Sequence, residues 1–182
     1  TEVICSVFID GTTIITAGNT AAATALNTKN NTVDHAISAL DFTMADEVNG
    51  AATIIDQITF QRNDVVDFVD FWRILDAELK NLTNGDVLPL YIHNNFIRTD
   101  MPAGYEIADG ESANFELKIW IKSGISSDLV TRMQLEDGEF KLSVGISNIM
   151  CNPEGDLLKY DSDFDLTTAS FTFPSASTNP MI

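Results

Sequence analysis

Three carboxylates at alternate positions, Asp161, Asp163 and Asp165, are the residues of this chain whose type and spacing best suit chemistry. Hard oxygen ligands of this kind are what Ca2+ takes. On an extended segment they line one face, with Phe164 and Leu166 on the other. The EF-hand loop pattern requires Gly at its sixth position and Glu at its twelfth; here those are Leu166 and Thr172, so that reading fails. A looser Ca2+ site drawn from several loops is the cation reading that remains, with Glu136-Asp137-Gly138-Glu139 and Glu154-Gly155-Asp156 as further donors. The plainer reading is a solvated acidic strand edge, which also discourages edge-to-edge aggregation. Apart from such an ion, no cofactor is implied.

Other chemistries find less. His35 and His93, the two histidines, lie in polar, turn-rich text. A zinc site needs three or four nitrogen or sulfur ligands, and these two with distant cysteines make a poor set. A Gly-x-Ser-x-Gly elbow and a Gly-rich phosphate loop are both missing. Among 27 acidic residues nothing selects one glycosidase-type pair. No catalytic residue is assigned, and the chain is read as non-enzymatic. Cys5 and Cys151 sit in apolar, strand-like text near opposite ends. In an exported protein a disulfide between them is expected; in a reducing compartment they are two buried thiols. The bridge would close a long loop, worth on the order of 4–5 kcal/mol in the chain-entropy account. Asn30-Asn31-Thr32 and Asn81-Leu82-Thr83 match the N-glycosylation pattern and are read as exposed loops.

The elements that must position these residues are mostly strands. Phe115, Leu117, Ile119 and Ile121 alternate with Glu116, Lys118, Trp120 and Lys122, the pattern of a half-buried antiparallel strand. Trp120, on the polar side, is either packed under a neighbour or an open platform for a sugar. Further strands are read at 2–8, 13–16, 39–45, 52–61, 88–92, 96–98, 139–146 and 166–173. Turns at Asp10-Gly11, Pro102-Ala103-Gly104 and Asp109-Gly110 separate them. Residues 20–31 read as a weak helix or a loop, and 129–135 as ambiguous. The stripe Phe68, Phe71, Trp72, Leu75 and Leu79 predicts one core-facing helix. Asn63 or Asp64 would cap it, Lys80 would sit in its last turn, and Asn84-Gly85 would stop it. The expected fold is mainly β: an antiparallel β-sandwich, immunoglobulin-like or jelly-roll-like, with one short amphipathic helix packed on it. A single domain spans 1–173, and 174–182 is a linker-like tail.

At 182 residues the chain can bury a core without staples. Ten basic against 27 acidic residues, a net charge of −17, argue against nucleic-acid or anionic-membrane partners. No apolar run approaches the roughly 20 residues that span a bilayer, so membrane insertion is not expected. The chain begins at Thr1, which removal of a signal peptide would explain, and an extracellular or cell-surface location is expected. The first strand, with Val3, Ile4, Val7, Phe8 and Ile9, is apolar enough to need a partner. Sandwich edges template added strands, so neighbouring copies joined by strand pairing are the expected partners, in a filament that does not close.

Five phrases, in order, carry a resemblance: Ala39-Leu40-Asp41-Phe42; Thr53 to Phe60; Phe71-Trp72-Arg73-Ile74-Leu75-Asp76-Ala77-Glu78-Leu79; Ile107-Ala108-Asp109-Gly110-Glu111-Ser112; and Phe115 to Lys122. Together they resemble the β-rich repeat modules of Bacteroidota cell-surface proteins, including gliding-motility-type adhesins. The likeness covers roughly Ala39 to Ile149; the two cysteines and the apolar N-terminal strand depart from it. It implies an exported structural or adhesive domain, a building block of a surface fibre, with no catalysis. The second reading is a carbohydrate- or Ca2+-binding module of a secreted protein.

Overall fold

Alternation gives each strand one dry face, and two sheets meet to bury those faces. A computed structural model of the chain describes residues 13–26, 31–66, 71–125, 138–152, 155 and 164–173. Its strands are β1 (Thr13–Thr20), β2 (Thr24–Ala25), β3 (Ile37–Asp46), β4 (Thr53–Val66), β5 (Leu75–Asn81), β6 (Val87–Leu88) and β7 (Tyr91–Ile92). They continue with β8 (Phe96–Ile107), β9 (Ser112–Ile121), β10 (Glu139–Gly145), β11 (Ile149–Cys151), β12 (Asp165–Thr167) and β13 (Phe171–Thr172). One sheet has the order β1-β3-β9-β5-β6; the other runs β2-β13-β10-β4-β8-β7, with β11 beside β4 and β12 beside β10. Pairing among the described residues is antiparallel except for β2 with β13. The protein is an antiparallel β-sandwich of two open sheets.

The core is aromatic at its centre. Phe42 on β3 lies 5.5 Å from Phe115 on the neighbouring β9, 6.5 Å from Phe60 on the opposite sheet, and 5.6 Å from Phe164 beside β12. A second group joins Phe140 to Phe171 at 5.3 Å and to Phe173 at 6.0 Å. Phe164 and Leu166 are buried and Asp165 between them is exposed.

The expected helix is mostly a strand. Of the stripe, one turn is helical, α1 (Phe71–Ile74), and β5 starts at Leu75. A spacing of four, Leu75 to Leu79, puts both residues on one face in either a helix or a strand. The tie is broken by β9, whose backbone pairs with β5 from Leu75↔Ile121 to Asn81↔Phe115 and is thereby satisfied. Lys80 faces Glu116 and Val87 across strands and is in no helical turn. Asn84-Gly85 closes the β5–β6 hairpin, with Gly85 N donating to Asn81 O at 2.8 Å. Trp72 is 48% exposed, not in the core, with the Arg73 guanidinium 6.0 Å from its ring centre. Trp72→Ala is therefore expected to cost less than about 1 kcal/mol in a denaturant titration. A loss of about 3–5 kcal/mol, the range for emptying a core aromatic, would put that ring inside after all.

Pro102-Ala103-Gly104 does not break the chain into two elements, because β8 runs through it. Asp100 pairs with Gln57 and Tyr105 with Ile55, so residues 101–104 bulge against Asp56. A bulge is where a strand tolerates Pro. Gly104 has φ +73°, and a β-carbon there would strike Ile54 Cγ2, so the bulge requires glycine. The 20–31 stretch contains β2 and the fully buried Leu26. Strand 2–8, the ambiguous 129–135 and tail 174–182 lie outside the described residues.

Candidate binding face

Strand alternation aims a set of side chains outward from the eight-stranded sheet. On β8, Ile97, Thr99 and Met101 are buried, so Phe96, Arg98 and Asp100 face out. Opposite Arg98 on edge strand β7 stands Tyr91, 54% exposed. On β4, Gln57, Thr59 and Gln61 stand opposite Asp100, Arg98 and Phe96. Ser143 on β10 faces Gln61, and Thr167 on β12 faces Ser143. Among the described residues the result is a half-buried to exposed face with an aromatic edge and a row of amides and hydroxyls, Thr59 being its buried member.

The aromatic edge is built by the β7–β8 hairpin. His93 N donates to Phe96 O at 2.8 Å, which closes the turn. That places the His93 ring 4.9 Å from Phe96 and nearly parallel, at 20°. Tyr91 stands 6.3 Å from Phe96 and 6.4 Å from His93. The Arg98 guanidinium lies 5.3 Å from the Phe96 ring centre. Its Nη2 and Nε donate to Asp100 Oδ2 at 2.8 and 3.2 Å. Further along, Gln57 Nε2 donates to Thr59 Oγ1 at 3.0 Å and Asn63 Nδ2 to Ser143 Oγ at 2.7 Å.

The residues singled out from sequence are dispersed. Asp165 is exposed on β12, opposite Gly145, while Asp161 and Asp163 lie outside the described residues. Among the described residues no group of three His, Cys, Asp or Glu is placed to hold a metal ion. Cys151 is half-buried on β11 opposite Ile55; Cys5, its expected partner, lies outside the described residues, as do Val3, Ile4, Val7, Phe8 and Ile9. His35 sits in a short turn with Nδ1 3.1 Å from Thr32 Oγ1, and His93 belongs to the aromatic edge. Trp120 is half-buried on the outer face of the other sheet, opposite Asp76. Asn81 is not an exposed loop residue. It is 3% exposed, its Nδ2 donates to Tyr105 OH at 2.9 Å, and its Oδ1 accepts from Thr83 N at 2.8 Å.

That Asn81 network borders a shallow cavity of about 170 Å³ lined by Asn84, Tyr105, Glu106, Glu111 and Ser112 among others. Tyr105 OH accepts from Asn81 and from Asn84 Nδ2, the latter at 3.1 Å, and donates to Asp86 Oδ2 at 3.1 Å. Its hydrogen-bonding capacity is used inside the protein, which ties the β5–β6 hairpin to β8. The Tyr91 edge escaped the sequence reading. The signal was present, since Phe96, Arg98 and Asp100 alternate with Ile97 and Thr99, but nothing local marks β7 as an edge.

Fold and face define a β-sandwich module with an open polar face edged by aromatic rings. No family model matches the chain, and no curated protein matches it. Three solved structures resemble it at low levels. A family 123 glycoside hydrolase from Clostridium perfringens, described for glycolipid glycan hydrolysis, has 10% identity and a TM-score of 0.40, over 89% of this chain and 27% of the hydrolase. AvmM, which catalyses macrocyclization in alchivemycin A biosynthesis, has 12% identity and a TM-score of 0.35, over 91% of this chain and 89% of AvmM. A DUF4466 family protein from Parabacteroides merdae has 9% identity and a TM-score of 0.32, over 90% of this chain and 44% of that protein. The function of this chain does not rest on them.

Proposed function

We propose that the chain is a non-enzymatic, extracellular adhesive module that holds carbohydrate on the outer face of its eight-stranded sheet. The observation that carries this reading is the exposed Tyr91 ring, set with Phe96 and His93 beside Arg98, Asp100, Gln57 and Gln61. A sugar presents an apolar C–H face and a hydroxyl rim. Aromatic rings cover the first, and a few placed polar groups bond the second. From β7 through β8 and β4 to β10 the face spans about 14 Å at the usual strand spacing, room for a chain of sugars crossing it.

The resemblance to surface repeat modules supplies the setting, a cell-surface fibre. Assembly would use the segment before Thr13, which leads directly into β1. That strand is the long edge of the five-stranded sheet among the described residues, and such an edge accepts a further strand. A glycan array tests the adhesive reading. The wild-type chain should retain at least one saccharide, and Tyr91→Ala should weaken it by about tenfold or more, equivalent to about 1.4 kcal/mol, with its melting temperature unchanged. An array with no saccharide retained, or binding indifferent to Tyr91→Ala, rejects this face as the adhesive site.

A further inference from the structure

We propose that this face recognises an extended, β-(1→4)-linked glycan chain laid across the strands, over about four sugars. The inference rests on the carbohydrate reading above and narrows it to a chain shape and length. A row of side chains stands in direct register on adjacent strands: Phe96 on β8 is opposite Gln61 on β4, Gln61 is opposite Ser143 on β10, and Ser143 is opposite Thr167 on β12. Buried residues flank them along their strands, Phe60 beside Gln61 and Leu142 beside Ser143 among them, so the row points away from the core. Phe96, Gln61 and Ser143 are half-buried and Thr167 is exposed. Opposed side chains on antiparallel strands start about 4.5–5.5 Å apart, so the row runs roughly 15 Å from Phe96 to Thr167.

The row changes character along its length. At the β8 end Phe96 is joined by Tyr91, 6.3 Å away, and the two rings take the apolar face of one sugar. The next positions offer an amide and two hydroxyls, the groups that meet sugar hydroxyls. Ser143 Oγ accepts from Asn63 Nδ2 at 2.7 Å, which leaves its own hydrogen for a ligand. The side chains of Gln61 and Thr167 make no hydrogen bond among the described residues, so amide and hydroxyl are both left to bond a sugar. Chain shape then decides what fits. A β-(1→4)-linked pyranose chain is an extended ribbon that advances by close to one strand spacing per sugar, so successive sugars meet successive strands. An α-(1→4)-linked chain coils and leaves the row after its first sugars.

Isothermal titration with cello-, manno- and malto-oligosaccharides, from disaccharide to hexasaccharide, tests this. All are uncharged, as the row is, and the cello and malto series differ in chain shape with the same sugar. In the cello or the manno series affinity should rise about tenfold or more from disaccharide to tetrasaccharide and stay level to the hexasaccharide. Maltohexaose should bind no better than the disaccharides. Thr167→Ala, at the far end of the row, should weaken the tetrasaccharide by about threefold or more and leave the disaccharide and the melting temperature unchanged. Equal affinity from disaccharide to hexasaccharide overturns the chain-length reading and leaves the aromatic platform standing if Tyr91→Ala still weakens binding. Maltohexaose held as tightly as cellohexaose and mannohexaose overturns the extended-chain class. A tetrasaccharide indifferent to Thr167→Ala overturns the row. Failure to bind any of the three series overturns this inference, and the array then decides the adhesive reading by itself.

Discussion

Phe42→Ala should lower unfolding stability by about 3–5 kcal/mol, the range for emptying a large aromatic from a packed core. The ring is fully buried and touches both sheets: Phe115 beside it at 5.5 Å, Phe60 across from it at 6.5 Å, and Phe164 at 5.6 Å. Removing it opens a void that three other rings border, and each ring is anchored to a different strand or its flank. The pairs also lose ring–ring attraction beyond their buried area. Urea titration, read by intrinsic fluorescence, gives the change directly. A loss under about 1.5 kcal/mol would mean that the sheets close over the gap and that Phe42 is not the keystone between them. Phe42→Leu keeps most of the volume and should recover a good part of the loss.

Asp46→Ala is expected to cost about 2–4 kcal/mol by the same titration. Asp46 ends β3 at 6% exposure, and its carboxylate joins several segments of chain. Oδ2 accepts from Thr53 Oγ1 at 2.6 Å at the start of β4, and Oδ1 accepts from Gly110 N at 3.0 Å in the turn before β9. Thr53 Oγ1 in turn lies 2.5 Å from Thr13 Oγ1 at the start of β1. Hydrogen bonds to a charged group contribute about 1.5–3 kcal/mol each, and a buried donor left without a partner costs about 1–3 kcal/mol. Next to this knot, Asp109 Oδ1 accepts from the backbone of Asn49 and Gly50 at 2.8 and 3.0 Å, so the loops after β3 and before β9 are tied twice. Asp46→Asn keeps an acceptor and should cost clearly less than Asp46→Ala. Equal losses for the two would show that the charge, and not the geometry of the knot, is what stabilises this end of the sandwich.

The strands β3, β4, β9 and β10 were legible in the sequence because burial on one side is written locally, as a period of two. Phe115, Leu117, Ile119 and Ile121 need no knowledge of the rest of the chain to be placed on a dry face. The β-sandwich class follows, since several such faces must cover one another. What a single segment cannot encode is which neighbour competes for it. Leu75 and Leu79 fit a helix and a strand equally well, and only the open backbone of β9 made that segment a strand. Trp72 changed from core to surface with it. Asn81 read as a loop sequon until Tyr105, 24 residues away, supplied its hydrogen bond. Asp46, Thr53, Thr13 and Gly110 are unremarkable as text and become a knot only when β1, β3, β4 and the turn before β9 converge. The outward face around Tyr91 has the same origin. Local alternation turns Tyr91, Phe96, Arg98 and Asp100 outward, but tertiary pairing puts β7 at an edge and leaves that face open, because exposure depends on what the rest of the chain covers.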